Sequence, residues 1–375
     1  FAQEDSKLVA LSKQIIEAKT NEDLYAPFEE LKGLYFNENK YTEFVDFLKS
    51  LVQKKKTTEP FINYYVALSR YNQLRYLEEK QLWDEYFSLG NTYRDELTQG
   101  AQKAIDITTQ KDGLNIYARL LLWQFHKEQQ DVFAENSLSD LVNSVLEYAK
   151  VASDTKPIKE AADKLLFYGE KGKSKELYKI YANKIITSNI KDDALLNIAS
   201  SFYKEGNLEL SQTLYDVYID RITKSAPKEK LIPNLVEIAN LFAYKDEGVN
   251  DMFYAEKVFE RIEELGGKVV FNQDLMYLRA FNLEKAKEYQ KAKDVYNDLV
   301  LTFPETIHAD EADFKTGIIY TYILRDISTG RNYFEKLAKK ENLSPQVISS
   351  LYQLGLLSQW QDDNVLAKEY YNSLM

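Results

Sequence analysis

Three groups of residues have types that could do chemistry. Gly172-Lys173-Ser174 has the ending of a phosphate-binding loop, in which backbone N–H groups cradle a phosphate and the lysine reaches its oxygens. Such a loop needs another glycine five residues before Gly172, and that position holds Phe167. The preceding segment also has a helical period rather than that of a strand, so no nest of N–H groups forms. Asp310-Glu311-Ala312-Asp313 is the kind of acidic string that holds Mg²⁺ from the end of a buried strand. Here it follows Phe303-Pro304 and opens a helix, where carboxylates favour the positive end of the dipole. The imidazoles are His126 and His308, and neither has a second histidine at helical metal-ligand spacing. No nucleophile-elbow pattern supports an activated serine. Among 59 acidic residues a facing pair suited to glycoside hydrolysis is available by type, yet the sequence singles out none. The expectation is no enzyme activity, no metal and no cofactor.

The elements that would position such residues follow from composition. At 375 residues the chain exceeds a typical single-core domain. Thirteen glycines and seven prolines are too few for a β-rich chain with many turns. Apolar residues recur at three- and four-residue steps almost throughout, which predicts an all-α fold. The 28 tyrosines and 19 phenylalanines are therefore knobs between stacked helices first and binding residues second. A net charge of −11 disfavours a polyanionic partner such as nucleic acid. The one dense basic run, Lys54-Lys55-Lys56, reads as a solvated helix end. With no cysteine there are no disulfides, no thiol catalysis and no cysteine–zinc site, which leaves the redox compartment open. No apolar run approaches the length of a membrane span. Phe1-Ala2-Gln3 fits the scar of a removed export signal or an arbitrary boundary. Met375 falls within a helix directly after Leu374, with no polar capping helix left, so a piece of a longer protein is expected.

Along the chain, Leu8, Leu11 and Ile15 begin a first amphipathic segment, Leu31, Leu34 and Tyr35 a second, and Phe44, Phe47, Leu48 and Leu51 a third. Pro60 opens the next helix at its first turn, where the missing N–H does little harm. Longer helices follow, with Tyr64, Tyr65, Leu68 and Tyr71 on one face and Trp83, Tyr86, Phe87, Leu120, Leu121 and Trp123 as further core candidates. Asp154-Thr155-Lys156-Pro157, a polar turn with proline at a helix start, is the best boundary. It divides a diverged helical region, 1–155, from a repeat region, 156–375.

The repeat is clearest at Ala280–Pro304: one helix ending, a tight turn near Lys287-Glu288, and a second helix stopped by Pro304. Small residues (Ala280, Ala292) stand where two helices approach, with Leu283, Tyr289, Tyr296 and Leu299 between them. The step from first-helix small residue to second-helix aromatic is sixteen in Ala280–Tyr296, Ala199–Tyr215 and Gly355–Tyr371. Gly317–Phe334 has one residue more and Ala239–Phe259 four more, as a longer turn would give. The second small position holds Ser211, Ala255, Ala292, Gly330 and Ala367. An upstream echo, Ser174–Ile185, matches Ser211–Ile222 at an offset of 37. This pattern resembles the tetratricopeptide repeat, though first-helix small positions lie 37 to 41 residues apart against a family period of about 34.

The resemblance implies an α-solenoid of antiparallel helical hairpins in a right-handed superhelix, with first helices lining a concave groove. Carried over by register, the groove-facing residues are Asn197, Lys204, Asn240, Tyr244, Tyr277, Phe281, Lys315, Tyr322, Gln353 and Trp360. Members that clamp a peptide's C-terminal carboxylate need Lys and Asn at leading positions held here by Leu196, Val236, Tyr277, Phe314 and Tyr352. The implied groove is apolar and aromatic, suited to an amphipathic helix or an extended hydrophobic segment of a protein partner. The competing reading is that some of these side chains simply pack between adjacent first helices.

Thr302–Tyr320 also resembles junctions in bacterial envelope members of the family, those of β-barrel assembly and the Tol–Pal machinery, although their lipidated cysteine is absent. That implies an exported, periplasmic scaffold ahead of a cytoplasmic one. The alternative function is the helical superstructure of an envelope enzyme, such as a lytic transglycosylase, whose catalytic domain lies outside this chain.

Overall fold

A computed structural model describes residues 2–52, 58–341 and 344–374. The Lys54-Lys55-Lys56 run lies outside the described residues. Among those described there are nineteen α-helices, a short 3₁₀ turn, a π-turn and no strand. The chain forms two compact units, Phe1–Ile190 and Lys191–Met375. The junction at Asp154–Pro157 falls inside the first unit, with Pro157 in the first turn of a helix.

The first unit contains α1 (Ala2–Glu17), α2 (Glu22–Phe36), α3 (Tyr41–Val52), α4 (Glu59–Glu79), α5 (Trp83–Ile107), α6 (Gly113–Gln129), α7 (Ala134–Val151), α8 (Lys156–Phe167) and α9 (Lys171–Thr187). Its first core joins Leu11 and Ile15 to Phe28, Leu31, Phe44, Leu48, Phe61 and Tyr65. Phe28 stacks on Phe61 and Tyr65 with ring centroids 5.4 and 5.1 Å away. A second core is built by Tyr71, Leu74 and Leu77 of α4, Tyr93 and Leu97 of α5, and Leu121 and Phe125 of α6. Trp123 and Leu120 are buried as expected, but Trp83 and Phe87 are not: they stand 43% and 75% exposed. The apolar stripe of α5 continues to its N-terminus, and the helices that would cover it end earlier.

The second unit is a run of hairpins. They are α10 (Asp192–Lys204) with α11 (Leu208–Ser225), α12 (Lys228–Phe242) with α13 (Met252–Gly266), and α14 (Gln273–Lys285) with α15 (Tyr289–Thr302). Then come α16 (Ile307–Ile318) with α17 (Ile327–Ala338), and α18 (Pro345–Trp360) with α19 (Asn364–Asn372). Each helix packs on the next, and α14, α16 and α18 also meet one another in sequence. Ala199, Ala239, Ala280 and Ala292 are fully buried, as are Tyr296, Phe259 and Phe334. At Gly317 an added Cβ would lie 2.6 Å from the Phe334 ring, and at Gly355 it would strike the Tyr371 ring. The small first-helix residue thus seats the aromatic of the second helix.

The second small position meets the backbone of the first. Buried Ser211 donates its hydroxyl to the Ala199 carbonyl at 2.8 Å, and Ser174 repeats the bond to Ala162 at 2.8 Å. The upstream echo is therefore a hairpin, α8–α9, with the same internal contact. Three-residue turns join α8 to α9, α10 to α11, α14 to α15 and α18 to α19. In each, the last turn residue donates its N–H five positions back, as in Glu288 to the Leu283 carbonyl at 2.9 Å and Asn207 to Phe202 at 2.8 Å. The middle residue is left-handed, and it is Gly206 in one turn but Lys287 (φ 63°) in another.

The extra residue in Gly317–Phe334 is not in the turn. It is absorbed by a π-turn, Ile319–Ile323, in which the Leu324 N–H reaches the Ile319 carbonyl at 2.9 Å. The four extra residues of Ala239–Phe259 do lie in a longer connection between α12 and α13.

Candidate functional site

The strings that suggested chemistry have structural roles. Lys171 opens α9, so Gly172-Lys173-Ser174 is helical and Ser174 is the buried close-contact residue. Thr306 caps α16 by accepting from the Ala309 N–H at 3.1 Å, and Asp310 lies in its first turn. The carboxylates of that string diverge. Asp310 pairs with Lys340, Asp313 with Lys336 at 2.7 Å, and Glu311 accepts from Gln346 at 2.7 Å. Burial of Asp313 raises its pKa in spite of Lys336, because the lysine is largely solvated. His126 Nδ1 lies 2.6 Å from Asp131, and His308 Nε2 lies 2.9 Å from Asp274. Among the described residues no three His, Asp or Glu side chains converge as a metal site would require, and no helix is long and apolar enough to cross a membrane.

The face built by the first helices of the second unit is different. Phe281 of α14 receives the Tyr244 ring edge-on at 5.7 Å and the Tyr277 ring stacked at 6.1 Å. Tyr277 also stacks on His308 of α16 at 4.8 Å. Lys285 Nζ stands 4.9 Å from the centre of Tyr244 and 5.0 Å from that of Phe281. Lys315 Nζ, paired with Glu284 at 3.0 Å, approaches Phe281 at 5.4 Å. Three consecutive hairpins therefore supply one half-buried aromatic and cationic cluster. Burial first, and the carboxylates of Glu311 and Glu284 second, push the Tyr277 hydroxyl up to about 12. It stays protonated at any physiological pH.

A second cluster follows. Tyr322, presented by the π-turn, meets Trp360 edge-to-face at 6.0 Å and donates its hydroxyl to Gln353 Oε1. Trp360 is 62% exposed and Tyr322 36%. Burial, and after it Tyr352, raises the Tyr322 hydroxyl as well. Of the groove residues read from sequence, Tyr244, Tyr277, Phe281 and Lys315 share the first cluster and Tyr322, Gln353 and Trp360 the second. Asn197, Lys204 and Asn240 stand exposed on α10 and α12, outside both.

Two supporting features escaped the sequence. Asn282, fully buried, accepts from the Tyr244 N–H at 3.1 Å and donates to the Met252 carbonyl at 2.9 Å, fixing both ends of the long α12–α13 connection. Its only signal was a polar residue at an inward helical position. Arg279 forks onto Glu256 (Nε 3.0 Å, Nη2 2.7 Å from Oε1) and reaches Glu263 at 2.7 Å, clamping α14 to α13. Burial raises the Glu256 pKa, and hydrogen bonds and charge from Arg279 oppose the shift.

Residues 274–306 match the family model of the tetratricopeptide repeat. No match is found among the curated proteins. Among solved structures the chain is similar to a signal-transduction ATPase of Pyrococcus horikoshii with a tetratricopeptide repeat sensor, at 14% identity and a TM-score of 0.32. That alignment covers 89% of this chain and 52% of the other, so the chain spans about half the length of that protein. It is also similar to the TPR domain of P58(IPK), at 12% identity, 98% coverage of each chain and a TM-score of 0.26. The human IFIT1 dimer with m7Gppp-AAAA matches at 12% identity over 100% of this chain and 86% of that one, with a TM-score of 0.23. The matched repeat is α14–α15 with its flanks, and the hairpins around it reuse its small and aromatic positions; residues 274–306 carry a tetratricopeptide repeat.

Proposed function

We propose that this chain is a non-catalytic scaffold that binds a protein or peptide segment on the first-helix face of its second unit. The observation that carries the reading is the Tyr322–Trp360 pair. Packing alone would bury such large rings, yet they stay exposed while touching across a hairpin seam. The Tyr244–Phe281–Tyr277 cluster supplies a second anchor of the same kind. Aromatic anchors in partly desolvated sites are the usual energetic centres of protein interfaces, each often worth about 2 kcal/mol or more. A segment held this way dissociates only weakly on addition of salt.

The test is a pull-down from the envelope fraction of the native organism, comparing parent with Tyr322→Ala/Trp360→Ala. The expected result is a partner retained by the parent at moderate salt and lost by the variant. An unchanged bound set, or one released by salt alone, rejects the aromatic face and favours a charged surface. The setting we propose is exported and periplasmic, supported by the junction resemblance of Thr302–Tyr320. Recovery of the native protein with cytosolic markers on fractionation rejects it.

A further inference from the structure

In the first unit α2, α4, α6 and α8 lie side by side, each touching the next. The first three bring a tyrosine to one place. Tyr117 of α6 meets Tyr25 of α2 edge-to-face at 6.5 Å and Tyr64 of α4, tilted, at 6.4 Å. Tyr25 is held by its hydroxyl, which donates to Asp112 at 3.0 Å, and by an edge-on contact with Phe61 at 5.0 Å. All three rings are half-buried, so a ligand can reach them. The hydroxyls of Tyr64 and Tyr117 bond to no other described residue. Carboxylates stand on both sides of these rings. Glu29 of α2 accepts from the Tyr65 hydroxyl at 2.7 Å, and Glu160 belongs to α8. Burial first, then the charges of Glu29 and Glu160, push the Tyr64 hydroxyl up, and no cation opposes them. Burial, then Glu160 and Asp154, do the same to Tyr117.

The bases of these helices are engaged at the edges. Lys32 pairs with Glu29 on α2, Lys159 with Asp163 at 3.0 Å, and Arg119 donates to Asn115 at 2.9 Å. Arg70 and Arg75 lie further along α4, on Glu96 and Glu128. Lys156 is 70% exposed and comes only within 3.6 Å of Glu160. Burial therefore outweighs Lys156 and raises the Glu160 carboxyl, which is a partly desolvated anion short of counter-charge. That setting selects its occupant. Ring faces attract a cation. A planar guanidinium stacks on tyrosine while forking onto a carboxylate, which an ammonium cannot do. An apolar segment would bury Glu160 further without a partner. We infer that the Tyr25–Tyr64–Tyr117 face receives an arginine side chain of a partner polypeptide, its guanidinium on the rings and against Glu160, with Glu29 at the flank. The net charge of −11 favours the approach of such a basic segment. The site lies wholly in the first unit and is independent of the first-helix face of the second.

The test is fluorine NMR on the full chain with 3-fluorotyrosine in place of Tyr64. The probes are the blocked pentapeptide acetyl-Ala-Ala-Arg-Ala-Ala-amide, its Lys and Gln counterparts, and guanidinium chloride. The Arg peptide should shift the signal saturably, the Lys peptide more weakly, and the Gln peptide not at all. Glu160→Gln should weaken the Arg peptide about tenfold. Tyr117→Leu, which removes the ring and stays apolar, should weaken it as well. Burial already disfavours the Glu160 charge, so the Gln variant should melt no lower than the parent, which separates lost binding from lost fold. Absence of a saturable shift with the Arg peptide overturns the proposal, as does an equal response to the Gln peptide or an affinity that ignores Glu160→Gln. A response to guanidinium as strong as to the Arg peptide overturns a polypeptide as the occupant.

Discussion

At the scale of single residues, the fold holds a few side chains against their own preferences, and each gives a test. Lys287 occupies the left-handed centre of the α14–α15 turn, where Gly169 and Gly206 serve the corresponding turns. A residue with a Cβ pays roughly 1–2 kcal/mol there, partly offset in glycine by its unfolded-state entropy. Lys287→Gly should therefore raise stability by up to about 1 kcal/mol, read as a higher urea midpoint at unchanged slope. Asp313 is the opposite kind of case, a buried carboxyl whose raised pKa means that the folded state holds its proton more tightly than the unfolded chain. Its contribution is fully present below the ordinary value of 3.8 and is lost as pH rises through the raised folded value. Relative to Asp313→Asn, which does not titrate, the parent should gain stability on acidification through that window. Urea midpoints of both proteins across the acid range check this; a parent that loses ground to the variant on acidification would sink the burial argument. Neither residue announced itself in the sequence. A lysine in a turn and an aspartate in the first turns of a helix both look solvated.

At the scale of helices and hairpins, the sequence was legible wherever a small residue had to face an aromatic. Ala199, Ala239, Ala280, Gly317 and Gly355 could be read because close approach admits so few residue types, and hairpin spacing then follows. What could not be read was where an extra residue goes. Gly317–Phe334 and Ala239–Phe259 both looked like longer turns, but only the second is; the first keeps its three-residue turn and takes the insertion as a π-turn. A π-turn leaves the side-chain pattern on either side almost unchanged, so periodicity does not expose it. The structural consequence is testable. Deleting Ile323, which is 43% exposed, should return the hairpin to the sixteen-residue spacing of its neighbours at a cost of no more than about 1 kcal/mol. Deleting Tyr203 from α10, which has no such turn, should cost several times more, by thermal or urea unfolding. Equal costs would show that the extra residue is structurally required. Trp83 and Phe87 misled for a related reason: apolar period marks the face of a helix, not how far its neighbours extend.

At the scale of the whole molecule, the two compact units and the hairpin-by-hairpin packing imply that stability is distributed rather than held in one core. Each hairpin of the second unit draws its burial from its own small–aromatic contact and from the hairpins beside it. Ala292 sits fully buried at such a contact, opposite the Ala280 helix. Ala292→Leu adds three carbons where there is no space, which should cost on the order of 1–3 kcal/mol by overpacking. In a globule with one core that loss would lower every protected amide together. Here amide exchange should quicken first in α14 and α15 and next in α13 and α16, while α4 to α6 of the first unit keep the parent's protection. Native-state hydrogen exchange of parent and variant, read by mass spectrometry peptide by peptide, separates the two outcomes. A uniform loss of protection through residues 59–129 and 273–302 alike would mean that the units unfold as one and that nearest-neighbour coupling is the wrong description. No change in either region would mean that residue 292 does not stand where two helices touch.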